Sequence, residues 1–315
     1  MLNTVFYFIL NMSLASCFVI AVLLLIRQIK PLPRRIVYPL WILAFFRLVT
    51  PFAFPTSWSL FNLTGGLVKR LVTIETVTQG VIQAPGSGEL GAMNMIGAAE
   101  QYAPVEYKTE ALRQFFQAAS TIWVVIALAM LLTAFTLYML TRKELKSAVH
   151  IKDDLYRSDM MVSPILLGLF RPKIILPVSL DTESEEFGMI LAHENIHRKQ
   201  LDNLWRLLAI CITCFHWFNP LALIMLKTFL TDMELSCDET VIRKFGAEER
   251  KAYAGALLDF AEEKRMFVST AFSRSGVKVR IVNVLNYKKL SLIGAVASAA
   301  FLLVIAIVLV SNPQM

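Results

Sequence analysis

The chain has 315 residues, 56% of them hydrophobic and only 17% charged, with a mean hydropathy of +0.58. That balance excludes a soluble globule and a disordered chain and points to a membrane protein. The net charge of +7 calls for no direct nucleic-acid partner, because cytoplasmic loops of membrane proteins are enriched in Lys and Arg.

Val5 to Ile26 carries no charged residue and is long enough to cross a bilayer, which takes about 20 helical residues. Arg27, Lys30, Arg34 and Arg35 follow it, and no Lys or Arg precedes it, so the N-terminus is expected outside. A cleaved signal peptide has the opposite charge order. Ile36 to Phe54 reads as a second span, kinked at Pro39 and Pro51, with Arg47 snorkelling near its outer end. These two spans, over 1–54, lead into an extracellular loop over 55–114 that is poor in basic residues and contains QAPGSGELGAMNMIGAA. Phe115 to Leu140 is a third span, ended on the inside by Arg142, Lys143 and Lys146. A cytoplasmic region fills 141–289, the last span covers 290–310, and a tail over 311–315 lies outside with the N-terminus.

The cytoplasmic region opens with two short apolar runs around Gly168 and Arg171-Pro172, within 161–177, the pattern of a β-hairpin. Its edge is a candidate clamp for an extended peptide. Thr182 and Glu185 have capping-box spacing ahead of a helix running to Gln200. That helix carries His193-Glu194-Asn195-Ile196-His197, the H-E-x-x-H pattern. Residues four apart share a helix face, so both imidazoles can meet one Zn²⁺, and the Glu between them can reach a water bound there.

A hydrolytic zinc site takes a third protein ligand and keeps a fourth position open. Glu234 is the best candidate, with Asp238 one turn on to accept a hydrogen bond from a ligand histidine. Asp202, five residues after His197, either orients the site or ends the helix. Cys237 is a competing ligand by chemistry. Shared metal binding forbids the apolar run from Leu207 to Leu226 from crossing the membrane, since the histidines and Glu234 would then be about 30 Å apart. Asn219-Pro220 offers a break, so 207–230 is expected to form a helical hairpin dipping into the bilayer. His216 and Trp217 beside the break read as structural, His216 having transition-state donor as its other reading; Cys211 and Cys214 read as apolar filler, and His150 as solvated.

With these residues placed, the chain resembles the BlaR/MecR-type membrane zinc metallopeptidases through SPILLGLFRPKIILP, HENIHRKQLD, HWFNP and ELSCDE in order. The resemblance implies an α-helical multi-pass membrane protein with a cytoplasmic α+β, gluzincin-like peptidase domain. In it, His193, His197 and Glu234 would hold one Zn²⁺ and Glu194 would act as base. It further implies action on a cytoplasmic DNA-binding repressor, or on the protease itself. The basic segment FSRSGVKVRIVNVL, flexible-looking at Ser273 to Gly276, is a candidate self-cleavage region, with lipid headgroup contact as its other reading. β-Lactam-responsive members carry a penicillin-binding sensor after the last span, whereas this sequence stops five residues after Val310. Any signal is therefore expected from the external loop or a separate sensor partner, and a homo-oligomer is a further candidate partner. The reading from another class is a non-proteolytic transducer with a structural zinc; a transporter fits poorly, because the H-E-x-x-H helix is charged and cytoplasmic.

Overall fold

The computed structural model describes residues 2–29, 32–50, 55–56, 110–144, 148–161, 163–267, 271–288, 294, 298, 300–302 and 312–313. The external loop and the span expected over 290–310 lie almost wholly outside the described residues.

Among the described residues, two helices are long and apolar enough to cross a membrane, over Leu2–Ile26 and Arg113–Lys143. The first is α1, Leu2–Ile26. It buries Met12, Ser16, Val19, Ile20, Leu23 and Ile26, a stripe at helical spacing. The expected second span is not one helix. It divides into α2 (Arg34–Val37), a 3₁₀ turn (Tyr38–Leu40) and α3 (Trp41–Val49), because Pro39 has no N–H to give an α-helical ladder. Arg47 also departs from expectation. It is 2% exposed, on the α3 face that buries Ala44 and Leu48, and does not reach for an interface.

Helix α4, Glu110–Glu144, includes the second candidate span, of which only 11% of the most apolar window is buried. An apolar helix at the core of a soluble protein would be mostly buried, so α4 has the exposure of a lipid-facing helix. Ser120 Oγ donates to Asn3 Oδ1 (2.8 Å), and Trp123 Nε1 donates to the Phe215 carbonyl (2.7 Å).

The sheet has the order β2-β3-β5-β4, from Val149–Lys152, Leu155–Ser158, Lys173–Pro177 and Ile165–Leu167. Strands β4 and β5 make the expected hairpin, with Leu166 opposite Ile174, while β3 and β5 are parallel. Gly168 adopts φ +109° after β4, and a Cβ there would lie 3.2 Å from the Arg171 carbonyl oxygen, so the turn requires glycine. A two-residue parallel pair joins Pro55–Thr56 (β1) to Asn312–Pro313 (β6).

Helix α5 spans Glu185–Gln200. The helix starts two residues later than the capping-box spacing predicts. Ser184 is the N-cap residue and makes no side-chain cap, while Asp181 Oδ1 accepts from the Glu183 N–H, a local turn bond of the kind that competes with caps. Leu201 ends α5 in the left-handed conformation and Asp202 starts α6, Asp202–Phe215. The chain reverses at His216–Asn219 into α7, Pro220–Phe245. Asn219 Oδ1 caps α7 at the Leu221 N–H, and its amide donates to the Ser13 carbonyl and hydroxyl of α1. Helices α6 and α7 thus form a hairpin broken at Asn219-Pro220. Helices α8 (Arg250–Phe267) and α9 (Ala271–Leu285) complete the described fold.

One core joins α1, α3, α6 and α7 through Ile20, Leu23, Trp41, Phe45, Met225 and Phe229. A second joins α5, α7, α8 and α9 through Met189, Ile242, Tyr253 and Val284. Helix α7 belongs to both, and the candidate site lies on it between them.

Candidate metal centre

The four-residue spacing on α5 brings His193 and His197 together, with Nε2 atoms 3.0 Å apart. Packing of α7 against α5 adds Glu234, whose Oε2 lies 3.5 Å from His193 Nε2 and 3.7 Å from His197 Nε2. Ligands about 2.0–2.1 Å from a tetrahedral zinc stand roughly 3.3 Å apart, so these three atoms fit around one ion. Glu194 lies between the histidines in sequence and is buried.

The outer nitrogens support the same reading. His197 Nδ1 is 2.6 Å from Asp202 Oδ2, and His193 Nδ1 is 3.3 Å from Asp238 Oδ1 and 3.0 Å from Tyr253 Oη. With protons at Nδ1 held by these acceptors, both Nε2 lone pairs and a Glu234 oxygen converge on one point. Three converging acceptors repel one another unless a cation or donor sits among them. Arg280 of α9 supplies the donor, Nη1 at 3.2 Å from Glu234 Oε2 and Nη2 at 3.3 Å from His193 Nε2. It also makes a two-pronged contact with Asp238, 2.8 Å at each oxygen.

Burial opposes every charge in this cluster, and the ionic contacts overcome it. Burial would raise the Glu234 carboxyl, yet Arg280 first and then the two histidines hold it well below the usual carboxylate range. Asp238 is depressed against burial mainly by Arg280. Burial would lower both imidazoles, but Asp238 and Glu234 raise His193, and Asp202 heads the groups that raise His197 well above the ordinary value.

Cys237 stands on the other side of His197, with Sγ 3.3 Å from Nδ1 and 3.5 Å from Asp202 Oδ2. It does not share the Nε2 site with His193 and Glu234. Burial pushes its thiol up to about 12. His197, Asp202 and Cys237 could by position hold a metal of their own, but 2.6 Å between His197 Nδ1 and Asp202 is a hydrogen-bond length.

Three further polar residues complete the surroundings without having been marked by local sequence pattern: Arg280, Tyr253 and Tyr38. Tyr253 Oη donates to Asp238 (2.7 Å), and Tyr38 Oη donates to Asp202 Oδ1 (2.6 Å). His216 sits at the hairpin tip, 3.1 Å from the Leu48 carbonyl and about 20 Å along α6 from Asp202, so it is no transition-state donor. His150 is exposed against the Asp153 carbonyl. The β4 edge is partly taken, because Asn203 donates to the Leu166 and Gly168 carbonyls. Ser273 to Gly276 belongs to helix α9 and not to an irregular segment.

The profile of the family described as BlaR1 peptidase M56 matches residues 7–284. The regulatory protein BlaR1 of Bacillus licheniformis is 34% identical over 173 residues, covering 52% of this chain and 29% of that protein. The methicillin resistance mecR1 protein of Staphylococcus aureus is 28% identical over 134 residues, 40% of this chain and 23% of that protein; a Staphylococcus epidermidis protein of the same name matches equally. The chain thus aligns with less than a third of each of these relatives.

Proposed function

Because this chain belongs to the BlaR1 peptidase M56 family, we propose that it is a membrane-embedded zinc endopeptidase of regulatory signalling, with His193, His197 and Glu234 as ligands and Glu194 as general base. The observation that carries the reading is the convergence of two Nε2 atoms and one carboxylate oxygen at 3.0–3.7 Å, each histidine braced behind by an aspartate. Histidine ligands held in this way keep one tautomer and one ring orientation.

A zinc ion in this site supplies polarisation of the scissile carbonyl and acidification of the attacking water. Glu194 takes the proton from that water as its oxygen bonds the carbonyl carbon, and returns it to the amine as the C–N bond breaks. Asp202 and Asp238 hold the imidazoles, and Arg280 holds Glu234 and Asp238. The free part of the β4 edge offers main-chain groups to an extended substrate beside those taken by Asn203. The gluzincin-like domain faces the cytoplasm, both termini lie outside, and the substrate is a cytoplasmic DNA-binding repressor or the chain itself. A structural-zinc transducer would need a closed fourth ligand, and Cys237 stands on the wrong side of His197 for that role.

The test compares Glu194→Ala with wild type in native-like membranes for zinc content and cleavage products. Equal zinc with a defined set of products missing is expected. Equal zinc with an unchanged product set overturns the peptidase assignment, and zinc-free wild type overturns the metal centre.

A further inference from the structure

A cavity of about 510 Å³ opens between the α2–α3 segment and helices α6 and α7, within the size range of small-molecule sites. It lies behind the candidate metal centre: Tyr38, on its wall, donates to Asp202 on the Nδ1 side of His197. Its two walls change character in the same direction. On one, Arg35 gives way to Tyr38 and then to Ile42, about 10 Å further along. On the other, Arg243 gives way to Phe229, about 20 Å back along α7. The backbone N–H groups of Arg34 and Arg35 meet Glu239, while Phe45 packs on Phe229. The two segments therefore run antiparallel, and their basic ends coincide. Trp205 of α6 adds an aromatic wall.

Arg35 Nη1 is buried and has no hydrogen-bond partner among the described residues. Glu239 accepts from the Arg34 and Arg35 backbone and from Asn283, and makes no hydrogen bond to this nitrogen. A buried cationic donor without an acceptor is costly, and Arg243 stands exposed at the same end. An oxyanion satisfies that end alone. The other end is apolar, with Ile42 45% exposed. A molecule with an anionic head and a hydrocarbon tail matches both, and both walls pass from basic to apolar toward the hairpin tip, the apolar end lying at the level where Arg27 and Trp41 meet Asp232.

We propose that this cavity binds one anionic glycerophospholipid of the cytoplasmic leaflet, its phosphate on Arg35 and Arg243 and an acyl chain along Ile42, Trp205 and Phe229. The proposal rests on the membrane reading and not on the peptidase chemistry.

The whole 315-residue chain is reconstituted in phosphatidylcholine vesicles, with or without an equal part of phosphatidylglycerol brominated on its acyl chains, and tryptophan fluorescence is followed. Saturable quenching by brominated phosphatidylglycerol is expected, with a component that Trp205→Phe removes and brominated phosphatidylcholine does not reproduce. The double variant Arg35→Gln, Arg243→Gln is expected to weaken it about tenfold or more. Arg243→Gln alone changes one exposed side chain, keeps the test informative if the double variant fails to fold, and is expected to weaken quenching in the same direction. Equal quenching by the two lipids, or quenching unmoved by Arg243→Gln, overturns the proposal. Loss of quenching to inorganic phosphate overturns it in favour of a soluble anion, and loss to an acidic peptide overturns it in favour of a protein ligand. Zinc content is measured in every sample, so failure of the lipid site stays distinct from failure of the metal centre.

Discussion

Asp202 and Asp238 are where single atoms have the clearest consequences. Asn at 202 keeps an oxygen near His197 Nδ1 but removes the charge, so zinc affinity is expected to fall about tenfold to a hundredfold in a chelator competition. Both imidazoles are raised in the metal-free protein, and each must be neutral to bind. Protons therefore compete with zinc up to a higher pH than they do at an isolated histidine: affinity is expected to rise with pH through neutrality, with proton release on binding. Calorimetry in buffers of different ionisation enthalpy measures that release. Cys237, with its thiol pushed up to about 12, is expected to resist alkylation at neutral pH until the protein unfolds, as mass spectrometry of labelled chains would show. Arg280→Gln leaves Asp238, fully buried, without its cation. A destabilisation of about 3 kcal/mol is expected from thermal unfolding. The H-E-x-x-H group was legible because its geometry is local to one helix. Arg280 was not, because its partners stand 42 and 46 residues earlier in the chain and it reads as one more inside-facing basic residue.

The α6–α7 hairpin shows what an element can reveal before its structure is known. Asn219-Pro220 announces a break because proline disturbs any helix, and the shared-metal argument then requires the chain to return. The partner of Asn219 could not be read in the same way, because Ser13 lies 206 residues away. Asn219→Ala removes the α7 cap and both bonds to Ser13, and is expected to cost about 1–2 kcal/mol in reversible unfolding in detergent. Pro39 was read as a kink and proved to break the second span into three pieces, because a 3₁₀ turn absorbs the missing N–H more readily than an α-helix does. The start of α5 also departs from the sequence pattern: Asp181 closes a tight turn at the Glu183 N–H, and Ser184 becomes the N-cap residue.

Across the whole molecule, hydropathy marked the long apolar helices α1 and α4, but neither the β2–β3 strands and helices α8 and α9 nor the packing between elements. Nothing in composition joins Arg27 to Asp232 or Tyr38 to Asp202, yet those contacts bind the first helices to those carrying the candidate metal centre. Helix α4 is attached differently. Among the described residues Ser120 and Trp123, in its first half, hydrogen-bond to other helices, and its far end leads toward β2. From Trp123 to Lys143 is about 30 Å of helix, so a tilt of roughly 10° pivoting at Trp123 swings that end by about 5 Å. If α4 crosses a bilayer, a change in bilayer thickness is expected to turn it like a crank. Spin labels at Leu137 and Val178 are expected to change separation between thin and thick bilayers, and a fixed separation would show the crank to be locked.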